Sequence, residues 1–129
     1  MKPERCPTLR VTLLPRDTNR HGTIFGGVIL SQIDLAGAVE ARERCGNHNF
    51  VTVAMDKVVF HAPVYVGDVV GFYTETVRVG RTSVTINVDV EATRADNGET
   101  VKVTEAQIVF VAVDEKRRPV PLEEDACSC

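Results

Sequence analysis

Two hydrophobic rhythms divide the chain. Between residues 28 and 39 the strongly polar side chains are Ser31, Gln32 and Asp34, and apolar residues fall on nearly every face of a helical repeat. Such a segment predicts a helix wrapped by other elements rather than laid on a surface, with Asp34 inside. Charge returns at Glu40, Arg42, Glu43 and Arg44, with Gly46 just beyond, which predicts a solvated last turn and a stop. Ahead of the helix, Gly26 and Gly27 allow a tight turn.

Beyond the helix the period drops to two. Residues 50–60 are rich in β-formers and residues 68–79 alternate less cleanly. Val84, Ile86, Val88 and Val90, set against Thr85, Asn87, Asp89 and Glu91, describe a half-buried strand. Residues 100–113 supply a last long strand, apolar on both faces from Ile108 to Val113, as in a central strand or one covered by a partner chain. Val66-Gly67-Asp68, Gly80-Arg81 and Asp96-Asn97-Gly98 each separate neighbouring strands by a few residues, which predicts antiparallel hairpins at all three. With residues 9–14 as a strand before the helix, the order is β, α, then four β. The fold class is therefore α+β: one long central helix wrapped by a curved antiparallel sheet of five or six strands, whose edges oligomerisation would cover.

At 129 residues and 43% hydrophobic content the chain predicts a single domain, residues 1–129, burying about two thirds of the surface its unfolded form exposes. Pro119 and Pro121 mark where the tail leaves a core of about residues 8–121, and residues 122–129 are expected to be flexible. A formal charge of −3 and a pI near 5.6 argue against a nucleic-acid partner, which needs a broad basic surface. The sequence holds neither an apolar run of about 18 residues nor a charged-then-apolar leader, so no membrane span is expected and the cytoplasm is the expected location. Cys6, Cys45, Cys127 and Cys129 form no C-x-x-C pair and have no His at zinc-finger spacing; they read as free thiols, and no metal is expected.

Candidate chemistry concentrates around the helix. A carboxylate on an apolar helix costs free energy unless paired, hydrogen-bonded or protonated, and burial raises its pKa, which is how catalytic carboxylates are tuned. Asp34 is therefore a candidate general base or nucleophile, the alternative being a structural acid bonded to backbone groups or to a partner chain. Backbone N–H groups at a helix start are unpaired and sit at the positive end of its dipole, so Gly26 and Gly27 can present donors to a developing oxyanion, or serve turn geometry alone. Ser31 either bonds the Asp34 carboxylate or faces its own backbone. His21 lacks a nucleophilic partner, and no G-x-S-x-G elbow is present. His61 is assigned to the lining of a substrate channel and His48 to a loop.

The stretch P-R-D-T-N-R-H-G-T-I-F-G-G-V-I-L-S-Q-I-D-L-A-G-A, residues 15–38, resembles the hotdog-fold acyl-CoA thioesterases of the YciA-like and cytosolic acyl-CoA hydrolase group. The likeness continues through F-V-T-V-A-M-D-K-V-V-F-H-A-P-V-Y-V-G-D-V-V, V-G-R-T-S-V and A-Q-I-V-F-V-A-V-D, so that it spans roughly residues 9–121. The resemblance implies a hotdog fold that hydrolyses acyl-CoA to fatty acid and coenzyme A without a cofactor. It implies active sites at a homodimer interface, where Asn19 of one protomer and Asp34 of the other converge on the thioester, and dimers that commonly assemble into trimers of dimers. Taken alone, Asn19 in D-T-N reads as a turn residue; the family match raises it to a group that orients water or donates to the oxyanion.

With Asp34, Asn19 and Gly27 assigned to catalysis, Gly26, Phe25, Ser31 and His61 are assigned to substrate binding. Coenzyme A carries several phosphate charges, and an acidic protein must meet them with local cations. Arg81, in the turn G-R-T-S with the Thr82 and Ser83 hydroxyls, is the first candidate; Lys57, Arg78, Lys102, Arg117 and Arg118 follow. The rival readings are a hotdog hydratase or dehydratase, which typically wants a catalytic His acting with the acid, and a noncatalytic acyl-CoA binding or sensing protein.

Overall fold

The structure, a computed structural model, describes residues 5–122; residues 123–129 of the expected tail, with Cys127 and Cys129, lie outside the described residues. The elements follow the expected order: β1 (Leu9–Thr12), α1 (Gly26–Cys45), β2 (Asn49–Phe60), β3 (Val69–Val79), β4 (Ser83–Thr93) and β5 (Thr100–Val113), with a short 3-10 helix at Pro15–Asp17. One antiparallel sheet in the order β1-β3-β4-β5-β2 curls about α1. The strict alternation of β4 puts Val84, Ile86, Val88, Val90 and Ala92 in the core, where Ile29, Ile33, Ala36 and Ala41 of α1 meet them. Gly37 brings the helix close to β5: a Cβ there would stand 2.9 Å from Phe110 Cε2 and 3.1 Å from Ile108 Cδ1.

Two of the three expected hairpins form, β3–β4 and β4–β5. The one expected across Val66-Gly67-Asp68 does not. β2 runs antiparallel to β5 at the sheet edge, from Asn49 opposite Val113 to Phe60 opposite Thr104. Residues 61–68 then carry the chain across the ends of β5 and β4 to β3, with the His61 N–H donating to Val103 O at 2.8 Å. A turn signal reports only that the chain reverses, whereas β5, apolar on both faces, is satisfied by a neighbour on each side.

α1 is not buried all round. Ile29, Ile33, Ala36, Gly37, Glu40, Ala41 and Cys45 face the sheet, whereas Ser31, Leu35 (58% exposed) and Val39 (41% exposed) form an open stripe. Asp34, expected inside, stands half-buried at the border of that stripe. The buried acid is Glu40, expected in a solvated last turn. It lies on the same helical stripe as Ile29, Ile33 and Ala36, and the sheet receives it with hydroxyls. Thr76 donates to it at 2.8 Å and Thr74 at 3.1 Å, Arg44 Nε adds a bond at 3.3 Å, and the Thr8 hydroxyl meets that of Thr74.

Residues 119–122, expected to leave at the prolines, instead return along the fold: Val120 N–H donates to Ala112 O and Leu122 N–H to Arg81 O, each at 2.9 Å. Among the described residues no helix is long and apolar enough to cross a membrane.

Candidate active site

The start of α1 leaves backbone donors free. Phe25 caps the helix in an extended conformation, and its side chain makes no capping hydrogen bond. The Val28 N–H reaches Phe25 O at 3.0 Å, but among the described residues nothing accepts from the N–H groups of Gly26 and Gly27. Neither glycine has a positive φ, so turn geometry is not the reason for them. Space is: a Cβ on Gly26 would lie 3.3 Å from Phe60 Cζ, and one on Gly27 only 2.7 Å from Phe25 Cε1. Two phenyl rings, both more than half exposed, thus flank a stretch of bare backbone at the positive end of the helix dipole.

This turn is held from two sides. On one, Asn19 ties its loop: Nδ2 donates to Thr23 Oγ1 at 2.9 Å, while Oδ1 accepts from the N–H groups of His21 at 2.8 Å and Thr23 at 3.3 Å. On the other, Ile24 N–H donates to Val64 O at 2.8 Å. Between the helix start and residues 60–64 lies a cleft of about 310 Å³, walled by Ile24, Ile29, Phe60 and Val64 and carrying the polar groups of His61 and Thr104. His61 lines this cleft. Its Nε2 lies 2.7 Å from Glu105 Oε1, and Lys102 Nζ lies 3.5 Å from Glu105 Oε2. The bond from His61, opposed by burial and aided by Lys102, holds the Glu105 carboxyl below the ordinary 4.5.

Asp34 has a partner that sequence reasoning missed. Thr52, on β2, donates to Asp34 Oδ1 at 2.6 Å, and among the described residues nothing donates to the second carboxylate oxygen. Nothing in the local pattern distinguishes Thr52 from the other threonines, because which residue of β2 meets α1 depends on the strand being paired with β5. The Ser31 hydroxyl donates to Val28 O at 2.7 Å, the backbone alternative, and does not reach Asp34.

The predicted residues fall at three places. Phe25, Gly26, Gly27, Asn19 and His61 gather at the start of α1. Asp34 lies seven residues beyond Gly27, about 10 Å along the helix axis, and no hydrogen bond joins it to Asn19. Arg81, Thr82 and Ser83 form the β3–β4 turn. Ser83 pairs with Val111, whereas Val90, seven residues on, pairs with Thr104 beside the cleft, a separation of about 23 Å along the strand. Of the secondary candidates, Lys102 is engaged by Asp89 and Glu105, and Arg118 by Asp114. His21 is exposed, and His48 packs its ring edge-on to Phe50. Among the described residues no group of three or more His, Cys, Asp or Glu is placed to hold a metal ion.

Residues 21–101 match the family model of the thioesterase superfamily. The chain is 42% identical over 117 residues to the acyl-CoA thioester hydrolase YciA of Salmonella typhimurium, covering 88% of this chain and 87% of that protein. Among solved structures, a hexameric hotdog-fold thioesterase of Campylobacter jejuni is 44% identical with a TM-score of 0.88, covering 93% of this chain and 92% of that one. A hexameric thioesterase from Yersinia pestis is 38% identical, also with a TM-score of 0.88, covering 96% of this chain and 100% of that one. The helix wrapped by a five-stranded antiparallel sheet is the hotdog fold of these neighbours.

Proposed function

The chain belongs to the thioesterase superfamily, and on that premise we propose that it hydrolyses acyl-CoA to a free fatty acid and coenzyme A. The observation that carries this reading is the pair of N–H groups, without an acceptor among the described residues, at the bare, phenyl-flanked start of α1. A thioester carbonyl seated there gains donors as its oxygen becomes negative in the tetrahedral intermediate.

Asp34 is the base. Its carboxylate takes a proton from water as the water oxygen bonds to the carbonyl carbon; the intermediate then collapses, the carbon–sulfur bond breaks, and the coenzyme A thiolate leaves and is protonated. Direct attack by the free Asp34 oxygen, giving a mixed anhydride that water then opens, is the alternative first step. Asn19 spends one Nδ2 hydrogen on Thr23 and has a second to offer to the water or the oxyanion. Arg81, with Thr82 and Ser83, meets the phosphates.

Reacting atoms must lie within about 3.5 Å of one another, so Asp34 and Gly27 of the same chain, about 10 Å apart, do not serve one thioester. A second copy with its α1 antiparallel brings Asp34 to the Gly27 of its partner. The open stripe of Leu35 and Val39 on α1, together with the exposed Val53, Val59 and Phe60 along the twelve-residue edge strand β2, supports a homodimer that covers them. We extend the reading to a trimer of dimers, as the relatives of Campylobacter jejuni and Yersinia pestis are hexameric. Cytoplasmic placement is part of the same proposal.

The test is hydrolysis of an acyl-CoA series from acetyl to palmitoyl, followed with a thiol reagent and corrected for the protein's own cysteines, beside Asp34→Ala and Asn19→Ala. Turnover lost in Asp34→Ala, with acyl-CoA binding and assembly intact, supports the reading. Tight binding with no turnover by the parent on any chain length replaces it with a sensor.

A further inference from the structure

Arg94 and Asp68 form a buried ion pair at the end of the sheet, with side chains 14% and 3% exposed, that no motif in the sequence announces. Arg94 Nη1 donates to Asp68 Oδ2 at 2.7 Å and to Pro63 O at 2.8 Å, and its guanidinium lies 4.9 Å from the centre of the Tyr65 ring. Asp68 also accepts from the Tyr65 N–H at 2.9 Å and the Ala95 N–H at 3.3 Å. These bonds secure the far end of the segment that crosses from β2 to β3. Its near end is secured by the His61 and Ala62 N–H groups on Val103 O. Between the two anchors lies Val64, whose carbonyl receives the Ile24 N–H at 2.8 Å, while Thr23 pairs with Tyr65. Ile24 stands two residues before Gly26.

We propose that Arg94 is a positioning residue for thioester hydrolysis: by holding Pro63 O and Asp68 together it fixes the wall against which the Gly26–Gly27 turn is set. This rests on the proposed use of that turn as the oxyanion site. The bond path is short and continuous, running from the guanidinium to the Pro63 carbonyl, along one peptide to Val64, and across one hydrogen bond to Ile24. A guanidinium suits the task because Nη1 carries two N–H groups fixed in its plane, one for the Pro63 carbonyl and one for the Asp68 carboxylate. Without it the buried Asp68 carboxylate loses its counter-charge and Pro63 O loses its donor, so residues 63–66 shift and carry Ile24 with them. Donors misplaced by an ångström lose most of their hold on the oxyanion while still tolerating the ground-state thioester. The contacts proposed for the coenzyme A phosphates, at Arg81, lie at the other end of the sheet and are untouched.

The experiment compares the parent, Arg94→Ala, Arg94→Lys and Asp34→Ala, each shown to be folded by circular dichroism and assembled by gel filtration, at a temperature well below every Tm. Arg94→Ala is expected to lower kcat by about ten- to a hundred-fold with KM within about twofold, and added methylguanidinium to restore part of the lost kcat. Asp34→Ala is expected to gain nothing from methylguanidinium. A buried staple with only a structural role would lower Tm and leave kcat of the folded variant within about twofold of the parent; that result overturns the proposal. Where Arg94→Ala does not fold, Arg94→Lys decides. Its shorter arm and freely turning ammonium do not fix two N–H directions in one plane, so a folded Lys variant with parental kcat overturns the proposal and one with lowered kcat at parental KM supports it. Turnover by the parent that is abolished in Asp34→Ala secures the thioesterase reading whatever Arg94 does, whereas no turnover by the parent overturns both.

Discussion

Replacing Glu40 by alanine removes the acceptor of a buried polar cluster, and its cost follows from the partners left behind. Thr76 and Thr74 donate to the two carboxylate oxygens at 2.8 and 3.1 Å in a residue that is 6% exposed, while Arg44, the third donor, has 43% of its side chain in solvent. The Arg44 bond contributes little, because water replaces it. Hydrogen bonds to a charged acceptor are worth about 1.5–3 kcal/mol each, so two give about 3–6 kcal/mol gross; Thr74 keeps the Thr8 hydroxyl as a partner, which brings the expected loss to about 3 kcal/mol. Glu40→Gln keeps the volume and one acceptor oxygen, and a threonine hydroxyl can turn to accept from the new amide, so it is expected to cost about 1 kcal/mol. In thermal unfolding at one fixed protein concentration, these correspond to a Tm lowered by about 10 °C and about 4 °C. Turnover per folded active site should be unchanged in both. A Glu40→Ala Tm within about 2 °C of the parent would refute the claim that the hydroxyl cluster stabilises the packing of α1.

The other expectations are narrower. Thr52→Val deletes the 2.6 Å bond that orients Asp34 and is expected to lower kcat about tenfold, with Thr52→Ser close to the parent; equal rates for all three would remove Thr52 from the mechanism. His61→Ala deletes the main cause of the lowered Glu105 pKa, so that carboxyl should titrate nearer 4.5 in an NMR experiment. Since a lowered folded-state pKa stabilises above the unfolded value and is lost as pH falls through the folded one, the parent should exceed His61→Ala in denaturation midpoint above about pH 4.5. That difference should close as the solution is acidified further, and a gap unchanged at low pH would mean the pair is not its source.

The order of elements, the two hairpins β3–β4 and β4–β5, the inward face of β4 and the family are all legible in the sequence. Each of these is written locally, in a period of two or of 3.6 and in turn residues a few positions long, or in motifs spread along most of the chain. It also singled out Asp34, Gly26, Gly27 and His61, because acids on oily helices, paired glycines and a histidine beside a phenylalanine stand out against their neighbours. What it could not rank was burial. Asp34 and Glu40 lie six residues apart on one helix, and which of them faces the core depends on the threonines that β3 places opposite, not on the apolar count around each. Only the tertiary structure moved β2 from beside β3 to the far edge beside β5, and with that choice came Thr52 under Asp34 and the crossing segment that Arg94 and Asp68 secure. The physical reason is range: strand pairing is settled by surfaces contributed from residues some fifty positions apart, and no local pattern carries that information.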